Sequence, residues 1–155
     1  MDQNPIAAKI TNSWEVLAGY ALIFIEDICP CKPDLLALHF MVPINIVDET
    51  REATTVLEIS ETHAKYLTSS MFAISENDVK NDDVIDACGE LCNVFSANVR
   101  SAIISTSNID LGVPKNLKPA EFQSIIDASH LDLCFKGQTN EGSVIVYLFN
   151  AYRNK

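Results

Sequence analysis

The stretch Leu131-Asp-Leu-Cys-Phe135, Lys136-Gly-Gln-Thr-Asn-Glu-Gly142, Ser143-Val-Ile-Val-Tyr-Leu-Phe149 decides the fold class. Residues 131–135 alternate, which places Leu131, Leu133 and Phe135 on one face of a strand. Residues 143–149 are a β-branched and aromatic run, the composition of a second strand. The segment between them is rich in turn formers, so the two strands read as a hairpin and the sheet as largely antiparallel.

Outward from this hairpin, helices and strands interleave. Ile6 to Ala21 carries helical apolar spacing through Ile6, Ile10, Trp14, Leu17, Ala18 and Ala21. Cys29-Pro-Cys-Lys-Pro33 is a stiff loop, because its prolines fix φ and remove amide donors. Leu35–Val42 and Ile44–Val47 read as two strands, Asp48–Glu52 as an acidic turn and Thr54–Ile59 as a third strand. Ser60 is placed to cap a helix from Glu61 to about Phe72. Ser75–Asp83 is a polar, acidic connection that caps the helix after it. Pro114 and Pro119 bound a loop, and Pro119–Ala128 forms a further short helix. The expected fold is α+β: a largely antiparallel β-sheet with two to three helices packed on one face, a single domain over residues 1–155.

The helix after the acidic connection carries Asp86-Ala-Cys-Gly-Glu90-Leu-Cys-Asn93. At ~100° per residue, with Asp86 at zero, Glu90 falls near ~40° and Asn93 near ~340°. Ala97 and Arg100 extend this stripe one to two turns further. Ala87, Cys88, Leu91, Cys92, Val94, Phe95, Val99, Ala102 and Ile103 spread over the opposite side, centred near ~180°. Two carboxylates and an amide thus line the polar side of a helix that runs to about Ile104. Spacing alone reads first as a solvated helix face and second as a working surface. As a working surface, an amide donates and accepts at once, which suits it to holding a water but not to deprotonating one. That chemistry serves a substrate already activated, as in phosphoryl transfer. Arg100 on such a face reads first as a partner in a helix-surface salt bridge.

Composition bounds the alternatives. A net charge of −10 opposes binding to nucleic acid or to an anionic membrane surface. The start, Met1-Asp-Gln-Asn-Pro, lacks the basic and apolar regions of a signal peptide, and the longest apolar runs are too short to cross a bilayer. Five cysteines without such a signal point to reduced thiols in a cytoplasm. Cys29 and Cys31 form a C-x-C pair, and Cys88 and Cys92 stand four apart, but on the apolar side of their helix. No C-x-x-C pair or spaced histidine cluster completes a metal site. His39, His63 and His130 fall in three separate segments and read as structural. No Ser/His/Asp set or Gly-rich phosphate loop is present.

Asp86-x-x-x-Glu90-x-x-Asn93 resembles the D/S-x-x-x-E-x-x-N signature of the CheC/CheX/FliY chemotaxis phosphatases. Gly89-Glu-Leu-Cys-Asn-Val-Phe-Ser-Ala97 is similar to the Gly-Glu-Leu-x-Asn core of CheX-type members. The likeness extends to an N-terminal helix, to Leu57-Glu-Ile-Ser-Glu-Thr-His-Ala64 and to the loop residue Pro114. The resemblance implies a phosphatase of the aspartyl phosphate on a CheY-like receiver domain. Asn93 would orient the attacking water and Glu90 would engage the receiver's active-site lysine, with Asp86 tuning docking; the helical wheel, not the resemblance, adds Ala97 and Arg100 to the partner-binding face. It implies no metal or cofactor of the chain's own, because Mg²⁺ belongs to the receiver, and by analogy a homodimer. The first helix reads Thr11-Asn-Ser-Trp-Glu15-Val-Leu-Ala18, with Ala18 where a second motif would need its amide, so one site is expected. Asn98 stands where relatives usually carry glycine, and Lys115 where a second proline often follows Pro114. Two alternatives share the same face: a non-catalytic module binding a phosphorylated receiver, and a structural element of a flagellar or signalling assembly.

Overall fold

The computed structural model describes residues 4–28, 32–47, 51–103, 108–140 and 142–152. Among them the elements run α1 (Pro5–Ala18), β1 (Phe24–Glu26), β2 (Leu38–Ile46), β3 (Arg51–Ile59), α2 (Glu61–Phe72), α3 (Asn81–Val99), β4 (Ile109–Leu111), β5 (Lys115–Leu117), α4 (Pro119–Ala128), β6 (His130–Thr139) and β7 (Gly142–Tyr152). Every strand pairing is antiparallel. The sheet order is β1-β6-β7-β3-β2, with β4 and β5 end to end along the outer edge of β2. The fold is α+β, as the hairpin implied.

Three local features depart from the sequence reading. The two strands expected around Pro43 are one, β2, which runs through the proline. On its outer edge β5 pairs as far as Met41 and β4 begins at Ile44, so Pro43 sits in the gap where no neighbour needs its missing N–H. Its carbonyl still accepts the Gly112 N–H at 2.8 Å. Second, β6 carries a bulge between Leu131 and Leu133, so Leu131 does not share a face with Leu133 and Phe135. Leu131 packs with the cluster around Phe122, whereas Leu133 and Phe135 face the main core. Third, the expected acidic turn is partly strand, since Arg51 and Glu52 pair with Tyr152 and Ala151; residues 48–50 lie outside the described residues, as do Cys29 and Cys31.

The helices are stopped by recognisable chemistry. Asn4 caps α1 through its side-chain oxygen, and Gly19, around which the helix is expected to end, closes it in a left-handed conformation (φ 84°). Ser60 Oγ accepts the His63 N–H at the start of α2. Asp83 accepts the Lys80 N–H and places its charge at the positive end of α3. Beyond Val99 the chain tightens into a 3₁₀ turn, Arg100–Ala102.

α1, α2 and α3 cover one face of the sheet and share its larger core, in which Trp14, Phe24 and Phe95 stack edge to face and tilted at 5.8 Å. Each large side chain so buried contributes about 1.5–3 kcal/mol. α4, the fourth helix, covers the opposite face. Phe122 there stacks on His39 at 4.0 Å, and His39 Nε2 lies 3.0 Å from Glu58 Oε1, which also accepts the Asp34 N–H. His39 and Glu58 are both buried, so their contact offsets part of the cost of burying each polar group.

α1 and α3 run in opposite senses: Asn98 of α3 meets Lys9 and Ser13 of α1, whereas Phe95, earlier on α3, reaches Trp14, later on α1, through Phe24. The Tyr20 hydroxyl, just beyond the end of α1, reaches His63 in the first turn of α2 at 2.8 Å, while Ser70 near the end of α2 donates to the Ala18 carbonyl. Glu61 and Lys65 at the start of α2 line a cleft with Lys80, Asn81 and Val84 at the start of α3. Near the end of α3, Asn98 donates to Ser13 Oγ at 2.8 Å and to the Lys9 carbonyl at 3.5 Å, across the middle of α1.

Candidate functional site

α3 presents the expected stripe. Asp86, Glu90, Asn93, Ala97 and Arg100 are all exposed. On the opposite side Ala87, Cys88, Leu91, Cys92, Phe95, Val99 and Ile103 are buried, and Val94 and Ala102 are half-buried. Four turns of regular helix backed by this packing fix the direction of each side chain on the stripe. The side chains of Asp86, Glu90 and Asn93 make no hydrogen bond or ion pair to another described residue, so their donors and acceptors face outward unspent. Arg100 also makes no ion pair among the described residues, against the salt bridge expected for it. Three and four residues before it stand Ala97 and Ser96, which offer no carboxylate.

The borders of the stripe are not readable from its spacing. Gly89 and Ser96, near ~300° and ~280° on the wheel, are buried although they adjoin Asn93. Gly89 is covered by Pro114, whose ring carbon Cβ lies 3.3 Å from where a Gly89 Cβ would stand. The Gly112–Pro114 turn, which joins β4 to β5, is thus laid against α3 beside Asn93. On the other flank Asn98, near ~120°, ties α3 to α1 through Ser13 and Lys9. Asn98 and Lys115, the two departures from the family pattern, both have structural partners here. Lys115 Nζ donates to Glu121 Oε2 at 2.6 Å and holds that carboxyl below the usual carboxylate range.

Cys88, Cys92 and Cys134 are buried and free. Burial pushes the Cys88 and Cys134 thiols up to about 12 and raises Cys92 as well, so none is a ready nucleophile. His39 and His63 are buried in the fold and His130 is exposed at the start of β6. No group of three or more His, Cys, Asp or Glu able to hold a metal occurs among the described residues. Glu15 is exposed on α1 but Ala18 is fully buried, so α1 lacks the amide of a second motif. No described helix is long and apolar enough to cross a membrane.

What the stripe can do follows from its shape. It is a surface ridge, and the clefts beside β1 and β6, at the α4–β6 junction and at the α2–α3 corner contain none of its residues. An outward carboxylate and amide, one turn apart, can reach into a partner's pocket but cannot enclose a small substrate.

Residues 41–132 match the sequence family described as the chemotaxis phosphatase CheX, more than half of the chain. The chain belongs to the CheX family. No curated protein is significantly similar to it in sequence. Among solved structures it is similar to the CheX of Borrelia burgdorferi in its complex with CheY, BeF₃ and Mg, at 12% identity and a TM-score of 0.70 over 97% of this chain and 96% of that one. The CheX of Vibrio vulnificus gives 15% identity and 0.65 over 95% and 94%. FliY of Thermotoga maritima gives 12% and 0.58 over 94% and 84%. At these identities the structural likeness establishes the shared fold.

Proposed function

We propose that the chain hydrolyses the aspartyl phosphate of a CheY-like receiver domain. Asn93 orients the attacking water in line with phosphorus, and Glu90 engages the receiver's active-site lysine. The observation that carries this reading is the outward Glu90–Asn93 pair, without a hydrogen-bond or ion-pair partner among the described residues, on a regular helix in a chain of the CheX family. The chemistry is divided between two proteins. The receiver brings the phosphoryl group, the lysine and Mg²⁺; this chain brings the water's orientation and an anchoring carboxylate. It needs no metal or cofactor of its own. Asp86, Ala97 and Arg100 line the docking face. Such a partner places the protein in the cytoplasm.

The test is phosphate release from phosphorylated receivers at catalytic amounts of this protein. Asn93→Ala abolishes the acceleration while leaving the fold intact. If Asn93→Ala retained the wild-type rate, the assignment would be wrong; phosphorylation-dependent binding without any acceleration would instead favour the non-catalytic module.

A homodimer is part of the same reading. β1 is the outer strand of the sheet among the described residues, and Ile23, Ile25 and Ile28 on and beside it are exposed. An open edge flanked by isoleucines favours pairing with a second copy. Sedimentation of the wild type as a dimer and of Ile25→Lys as a monomer is the expected result.

A further inference from the structure

We infer that Val16 and Val113 are the apolar rims of the surface on which the phosphorylated receiver seats, one on each side of the Glu90–Asn93 stripe. This rests on the phosphatase reading and deepens it by naming residues that set affinity for the partner.

Val113 is 81% exposed, yet the backbone that carries it is fixed on both sides. The Gly112 N–H donates to Pro43, and a Cβ at Gly112 would stand 2.3 Å from Pro43 Cγ, so β2 and this turn are in direct contact. Pro114 is laid on Gly89, the residue before Glu90. β4 and β5, on either side of the turn, are both paired to β2. A bulky apolar side chain is therefore held out into solvent by a rigid bracket next to the stripe.

Val16 is 72% exposed on α1. Lys9, Ser13 and Val16 share one face of that helix, and this face meets α3, because Asn98 binds Ser13 and Lys9. The helices are antiparallel. Stepping about five residues back along α3 from Asn98, and forward along α1 from between Lys9 and Ser13, brings Asn93 level with Val16. Val16 and Val113 thus flank the same turn of α3 from opposite sides.

Energetics give this arrangement a use. Exposed carboxylates and amides contribute little net affinity while water reaches them. Apolar side chains that close around a polar centre exclude that water and add area of their own. A partner whose charged, phosphoryl-bearing pocket receives Glu90 and Asn93 would bring its own pocket rim down on both valines.

The experiment measures receiver dephosphorylation with Val16→Asp, Val113→Asp and the milder Val113→Ser, with Leu36→Asp as a control at a residue that is 95% exposed elsewhere. The expected result is a KM raised about tenfold by either Asp variant. Val113→Ser gives a smaller rise, kcat stays within about twofold and thermal unfolding matches the wild type. Leu36→Asp leaves both constants unchanged. If both Asp variants keep the wild-type KM while Asn93→Ala is inactive, the rim assignment falls and the phosphatase reading stands. If the wild type accelerates no receiver, both fall together.

Discussion

Pro114 rests on Gly89: a methyl group at Gly89 would meet the proline Cβ at 3.3 Å. The contact joins the β4–β5 turn to the helix one residue before Glu90, and it leaves room for hydrogen alone without adjustment. Gly89→Ala gains about 1 kcal/mol of helix preference and must push the turn outward by a few tenths of an ångström. These effects oppose one another, so the melting temperature of Gly89→Ala stays within a few degrees of the wild type. Gly89→Leu cannot be accommodated that way and costs about 1–3 kcal/mol or more in denaturant unfolding.

Glu90 and Asn93 separate in kinetics. An anchoring carboxylate acts on complex formation, so Glu90→Gln raises KM for the phosphorylated receiver more than it lowers kcat. An amide that positions water acts on the chemical step, so Asn93→Ala lowers kcat by about 100-fold or more. Equal effects of both variants on both constants would sink this division of roles.

Burial lowers the pKa of His63, which neighbours Trp14 and Tyr20 in the main core. The unfolded chain then takes up the proton first as pH falls. Stability from this residue is full above the ordinary histidine value of about 6.5 and is lost as pH falls below it. The melting temperature decreases between pH 7 and pH 5, and His63→Gln shows a shallower decrease over the same range.

Cys88, Cys92 and Cys134 stay protonated and shielded at neutral pH, with Cys88 and Cys134 pushed up to about 12. Alkylation by iodoacetamide at pH 8 leaves these three unmodified in the native protein and modifies them after denaturation. Mass spectrometry of tryptic peptides distinguishes the two states.

The parts of the fold legible in the sequence are those whose signals are local. Ser60 and Pro119 mark the starts of α2 and α4, and the glycine-containing turn between Leu131 and Phe149 marks the hairpin. β1, β4 and β5 are three residues each, too short for a period to register, and they exist because β6 and β2 offer edges to pair with. Pro43 reads as a break because the gap between β4 and β5 that tolerates it is a tertiary fact. Asp132 likewise hides a bulge inside a clean alternation.

The candidate site divides the same way. The stripe from Asp86 to Arg100 is a property of one helix and could be drawn on a wheel. Its borders are not: Pro114 is 25 residues beyond Gly89 in sequence, and Ser13 is 85 before Asn98. The burial of Gly89 and Ser96 beside an exposed asparagine was the structural sign that something closes over that flank.

The side chains of Glu90 and Asn93 make no hydrogen bond or ion pair with another described residue, and this has a consequence for how such a protein could change its role. Folding does not depend on either side chain, so replacing the amide costs the molecule almost no stability. On the proposed reading, a single substitution at position 93 would yield an equally robust protein that still seats a phosphorylated receiver. It would then protect the phosphoryl group from water instead of delivering water to it. The same surface would prolong a signal that its parent cuts short.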